Sequence, residues 1–243
     1  MFISNPKTDT MPNVSDDKSV KQKILDAAGD VFGRVGYKAA TTREICRAAG
    51  VNIASINYYF GSKTSLYQTV VTDLIARTFA RYPVDSGVTP QSPPHVRLRA
   101  FINGALLRLL SPDGLSGYPG KGQLVARELA DPSPFMDDLV NEFIRPAAAI
   151  LTAIIAELLG PEANPQAIMR CQISVIGQCF HYATARPILS RLAGTNASDA
   201  SAINALTDHI TRFSLAGIAS VRNTLASAKD APAQAGSVNG GTP

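Results

Sequence analysis

The stretch TTREICRAAGVNIASINYYFGSKTSL, Thr41–Leu66, decides the fold. Thr41 followed three positions later by Glu44 is the pattern of a capping box, so a helix starts at Thr42 and stops at Gly50. Asn52 suits the cap of the next helix, with Val51 and Ile56 at the two positions of a hydrophobic staple. That second short helix runs to Phe60. After Gly61, Ser62 can cap a longer one through Leu66, Val70, Leu74 and Phe79. Two short helices around the tight turn AAGVN make a helix-turn-helix.

The outer side of the second short helix is unusual. A solvated helix face carries Glu and Lys, whereas this one carries Asn57, Tyr58 and Tyr59. On a helical wheel Ile53, Ile56 and Phe60 cluster as the anchor, and Ala54, Ser55, Asn57, Tyr58 and Tyr59 cover the remainder. Small side chains at Ala54 and Ser55 let such a helix enter a major groove deeply. Asn57 can pair with adenine or donate to a phosphate. Tyr59 can donate to a phosphate or press on thymine methyls, and Tyr58 either covers the core or touches DNA. Thr42 and Arg43 open the preceding helix, where free backbone N–H groups and the helix dipole favour a phosphate. Lys63, at the start of the longer helix, is placed to reach the DNA backbone.

Charge supports a polyanion-binding head. Residues 18–81 hold ten Lys or Arg against four Asp or Glu, while residues 82–243 hold twelve of each. Ahead of the motif, Val20, Ile24, Ala27, Ala28, Val31, Phe32 and Val35 fall at helical spacing, which predicts a first helix over 18–35 ending at Gly36. Residues 82–95 contain four prolines and read as a linker. Helices are expected near 96–110, 121–130, 135–159, 165–192 and 199–228, with Pro146 kinking or dividing the third. No segment alternates long enough to demand a sheet, so the fold class is all-α. The two long C-terminal helices, with Gly177 and Ala183 among Ala and Ile, suit a helix-packing interface.

TTREICRAAGVNIASINYYFGSKTSLYQTV resembles the head of the TetR-family regulators: the Thr, Ile, Ala-Gly-Val, aromatic, Phe, Lys and Leu positions agree in spacing from residue 18 to about 70. Two positions depart from the family, which usually has Tyr where Asn57 stands and often His where Tyr59 stands. The body QLVARELADPSPFMDDLVNEFIRPAAAILTAIIAELLG with ISVIGQCFHY resembles the CecR-type C-terminal effector domain of a subclass. The resemblance implies a repressor that binds a palindromic double-stranded DNA operator as a homodimer and is released by a small-molecule effector. The domains expected are a disordered tail over 1–17, the DNA-binding domain over 18–81, an effector-binding and dimerisation domain over 82–229, and a disordered tail over 230–243.

Candidate effector contacts are Phe101, Arg127, Glu128, His181 and Tyr182 in an otherwise apolar pocket. The ordinary alternative is that Arg127 and Glu128 satisfy each other or their neighbours, and that His181 is a hydrogen-bonded core or interface histidine. Cys46, Cys171 and Cys179 show no CxxC spacing and read as small buried hydrophobes in a reducing cytoplasm. The three histidines have no metal-ligand spacing, and no cofactor loop, paired acids or Ser/His/Asp set can be assigned. No cofactor, no metal and no catalysis are therefore expected. The N-terminus lacks a secretory pattern, and the most apolar stretch, 146–160, is short for a membrane span, so no membrane partner is expected. The rival reading is a helical small-molecule or lipid-binding protein, or an enzyme, whose basic head is incidental.

Overall fold

The computed structural model describes residues 14–115, 121–193 and 199–230. Its elements, in chain order, are α1 (Val14–Ala39), α2 (Thr42–Ala49), α3 (Ile53–Phe60), α4 (Lys63–Arg81), α5 (Pro94–Leu110), α6 (Lys121–Ala130), α7 (Met136–Leu139), a π-helical turn (Val140–Ile144), α8 (Arg145–Leu159), α9 (Pro165–Thr184), α10 (Arg186–Ala193) and α11 (Ala200–Asp230). There is no strand among the described residues, and the fold is all-α.

Several boundaries moved. α1 begins at Val14, so residues 14–17 are helical rather than part of a tail; the rest of that expected tail, and the one after Asp230, lie outside the described residues. Gly36 leaves the helical path with φ 80 and ψ 167, where the first helix was expected to end, and one further turn follows it. Around Pro146 the helix widens instead of breaking: the missing N–H and the ring's clash with the preceding turn are accommodated by the π-helical turn just before it. The helix expected over 165–192 is divided. Pro187 cannot donate to the carbonyl four residues back, α9 stops at Thr184, and Ala185 turns the chain into α10. The helical path Met136–Leu159 is 24 residues long and apolar enough by length and composition to cross a membrane, longer than the 146–160 stretch picked out in the sequence.

Packing divides the chain into two units. The first comprises Met1–Thr78 with Leu115–Leu139, the second Phe79–Gly114 with Val140–Pro243. A single cut between 81 and 82 therefore does not describe the packing, because α6 and α7 belong with α1 to α4. In the first unit Ile24, Phe32, Ile45, Ile56, Leu66 and Leu124 are fully buried. Tyr67 stands at its aromatic centre, with ring centroids 4.9 Å from Phe32, 5.0 Å from Tyr37 and 5.5 Å from Phe135.

In the second unit each helix contributes a stripe at helical spacing: Leu98, Phe101, Ile102, Ala105 and Leu106 from α5, Leu151, Ile154, Ile155 and Leu159 from α8, Ala167, Cys171, Val175 and Cys179 from α9, and Ile203, Ile210 and Ile218 from α11. Each such aliphatic side chain removed from water contributes about 1.5–3 kcal/mol. Arg97 pairs with Glu157 and Arg99 with Asp208, which fixes α5 against α8 and α11. The three cysteines are free and buried, and burial pushes the Cys179 thiol up to about 12.

Candidate nucleic-acid interface

The helix-turn-helix is built from local hydrogen bonds. Thr41 accepts from the Glu44 amide at 3.2 Å and so caps α2. The second half of the expected box is absent: the Glu44 carboxylate turns instead to Arg34 at 2.9 Å, which ties α2 to α1. Gly50 sits in the left-handed region at φ 68, closing α2, and the Val51 amide donates back to the Cys46 carbonyl at 3.0 Å. Asn52 then caps α3, its Oδ1 accepting from the Ser55 amide at 2.9 Å and from the Ser55 hydroxyl at 3.1 Å. Ser62 caps α4 in the same way, accepting from the Ser65 amide at 3.0 Å.

Packing then decides which side of α3 faces out. Ile56 is fully buried and Phe60 nearly so. Ile53, expected in the same anchor, is 46 % exposed: the first residue of α3 lies where the turn, not the core, flanks it. Ala54 and Asn57 are exposed, and Tyr58 is 77 % exposed, an aromatic held in water. The Tyr58 and Tyr59 rings meet edge to face at 4.9 Å, so the half-buried Tyr59 props the outer ring. Ser55 is half-buried with its hydroxyl on Asn52. Thr42 is half-buried and Arg43 exposed on the first turn of α2.

Lys63 has other work than was expected. Its ammonium donates to the carbonyls of Tyr37 at 3.0 Å and Ala40 at 2.8 Å and lies 4.6 Å from the centre of the Tyr37 ring. It closes the end of α1, because carbonyls at a helix C-terminus attract a nearby cation.

The candidate effector contacts are distributed over both units. Arg127 and Glu128 fall in the first unit, Phe101, His181 and Tyr182 in the second. Arg127 donates to the Arg34 carbonyl at 3.4 Å, and a Cβ on Gly36 would meet its guanidinium at 2.7 Å. Glu128 is 3 % exposed and accepts from Tyr67 at 3.0 Å, from the Ser133 amide at 2.8 Å and from the Ser133 hydroxyl at 2.5 Å. Both residues hold the first unit together, and burial, then the Glu128 charge, raises the Tyr67 phenol. Phe101 is buried in the core of the second unit, with Tyr182 packed partly against that core, while His181 is exposed.

Comparisons with known proteins agree with this architecture. A family model of bacterial regulatory proteins, tetR family, matches residues 24–70. A second, the C-terminal domain of the HTH-type transcriptional dual regulator CecR, matches residues 94–218. The chain is similar to the HTH-type transcriptional dual regulator CecR of Shigella flexneri, 29% identical over 191 residues, 75% of this chain and 83% of that protein. It is also similar to the HTH-type transcriptional regulator BetI of Vibrio campbellii, 31% identical over 94 residues, 39% of this chain and 47% of that one. Among solved structures, a TetR-like transcriptional regulator from Rhodococcus sp. RHA1 shares the fold with a TM-score of 0.54 at 19% identity, over 86% of this chain and 99% of that one. The chain belongs to the TetR family of transcriptional regulators, in the branch whose C-terminal domain is of the CecR type.

Proposed function

We infer that this regulator works in the cytoplasm as a homodimeric repressor on a palindromic operator, released by a small molecule held in the second unit. The observation that carries the reading is the outward side of α3, where Asn57 and Tyr58 stand in solvent over a sealed anchor of Ile56 and Phe60. The Asn57 amide and the Tyr58 hydroxyl, held in solvent on a two-turn helix, are free to meet base edges and phosphates. Ala54, Ser55, Asn57, Tyr58 and Tyr59 meet the major groove, and Thr42 and Arg43 take the backbone at the start of α2. Lys63 acts in this scheme through the head's shape.

The homodimer uses α9 and α11, which pack side by side. Met169 and Ile173 on α9 and Phe213 on α11 are all more than half exposed, and a Cβ on Gly177 or Gly217 would meet nothing within 4 Å. Small residues beside large apolar ones let a second helix pair approach closely. Two heads then address half-sites roughly 34–36 Å apart. An effector coupling of about 1–3 kcal/mol lowers operator affinity by roughly 5- to 150-fold.

The test is to sequence the duplex fragments that the purified chain retains from its own genome, then to follow transcription from them. Enrichment of one palindrome, with transcription reduced by the chain, is the expected result. Retention of random duplex, or of none, rejects the operator reading, and increased transcription rejects repression.

A further inference from the structure

Arg108 is a cation where the second unit should hold none. It lies on the core-facing side of α5, one turn beyond Gly104, and is 6 % exposed. One of its N–H groups donates to the Tyr82 carbonyl at 2.5 Å, and its guanidinium lies 4.6 Å from the centre of the Phe79 ring. The backbone is shaped around it: a Cβ on Gly104 would come 2.9 Å from the Pro83 carbonyl and 3.2 Å from the guanidinium itself. The buried Ser111 hydroxyl donates to the Tyr82 hydroxyl at 3.0 Å, a second tie between α5 and Tyr82.

What is missing is a counter-charge. Buried cations are ordinarily paired with an acid. Among the described residues no ion pair joins an acid to Arg108: Asp113 pairs with Arg81, Glu157 with Arg97, Asp208 with Arg99 and Glu162 with Lys229, Asp199 caps α11, and Asp85 and Glu142 are not among its partners. Segments 194–198 and 231–243 contain no Asp or Glu. Cys179 faces the guanidinium, but its thiol, pushed up by burial, stays neutral and gives no anion. Burial accordingly draws the Arg108 pKa down to about 10, a cost that a carbonyl and an aromatic ring offset only in part because neither carries a full charge. A planar fork with five N–H donors, one of them used on a carbonyl, is suited to a carboxylate, sulfonate or phosphate.

We propose that Arg108 receives the charged head of an anionic effector whose apolar body lies among the side chains of the second unit. The inference rests on the reading of this chain as an effector-controlled regulator and names the effector's class. It also supplies a route for the signal. Phe79 belongs to the last turn of α4, and Tyr82 follows directly after it. An anion on Arg108 competes for the guanidinium that holds both, and so alters the restraint on the end of the helix that begins at Lys63.

The test uses two fluorescent dyes on the full chain: anilinonaphthalenesulfonate, an apolar anion, and phenylnaphthylamine, which has the same rings and no charge. The wild-type chain should bind the sulfonate roughly 10-fold or more tightly than the amine, the worth of a hydrogen-bonded charge. Arg108→Gln should abolish that preference and Arg108→Lys should keep part of it, with melting curves recorded for each. A second arm needs no variant: decanoate should displace the sulfonate dye from the wild-type chain, and decanol should not. Equal affinity for the two dyes, an unchanged preference in Arg108→Gln, equal displacement, or no binding of either dye overturns the proposal. No DNA is present in these titrations. A chain that prefers the anion and binds no duplex loses the regulator reading and keeps the site, while a chain that binds an operator without preferring the anion loses the site alone.

Discussion

Lys63 reads as a phosphate contact from its neighbours in sequence, and the structure gives its ammonium internal partners. It follows Phe-Gly-Ser at the start of a helix beside a DNA-reading element, yet its ammonium closes the end of α1 through two carbonyls. Lys63→Met should therefore destabilise the fold by about 1–3 kcal/mol, the cost of leaving half-buried carbonyls without a charged donor. Its thermal midpoint should fall, while the salt slope of DNA binding by the folded fraction stays unchanged. A variant with native melting and a shallower salt slope would return Lys63 to the phosphate backbone. The sequence could not reveal this, since residues 37–40 and Lys63 meet only through folding. Residues whose role is local were legible: Thr41, Asn52 and Ser62 cap the helices assigned to them. Arg127 and Glu128 were legible only as a choice between internal partners and a ligand, and the structure gives them long-range partners in Arg34 and Tyr67. Arg108 was missed, although its place on the apolar side of α5, in register with Phe101 and Ala105, was there to be read.

At the scale of the element, helical periodicity and Gly or Pro punctuation located each described helix, most of them within a few residues. Misses arose where two signals compete. Pro187 sits in a sequence otherwise apolar enough to continue a helix, and backbone chemistry won. At Pro146 the helix continued through a π-helical turn, which accommodates the ring and the missing N–H without ending the path. The exposed apolar face of α9 has its own test. Ile173 is 64 % exposed, so Ile173→Asp should leave the isolated unit's packing intact. If a second copy covers it, an unpaired carboxylate is buried there at a cost of several kcal/mol. Sedimentation should then show twice the chain mass for the wild type and a single chain mass for the variant. An Ile173→Asp variant that keeps the doubled mass places the partner on another face.

At the scale of the molecule, composition points to the division of labour before any coordinate does. The cationic excess is confined to residues 18–81, which contain the helix-turn-helix, while the following residues are balanced in charge and supply the larger apolar core. The extent of the head was less legible: α6 and α7, distant in sequence, pack into the first unit with α1 to α4. A head of this charge should bind duplex with an affinity that falls linearly in log salt, by about 0.9 per phosphate neutralised. Binding strength from charge and sequence choice from α3 are thus separable. The most direct measurement is an anisotropy titration of a genome-selected duplex and a scrambled duplex with the wild-type chain and with an Asn57→Ala, Tyr58→Ala double variant, alongside melting curves. The account predicts that the variant melts as the wild type does, because both side chains are exposed, and that it loses about 10-fold or more of its preference for the selected duplex. A variant that melts normally and still distinguishes the two duplexes as the wild type does would show that another surface reads the DNA.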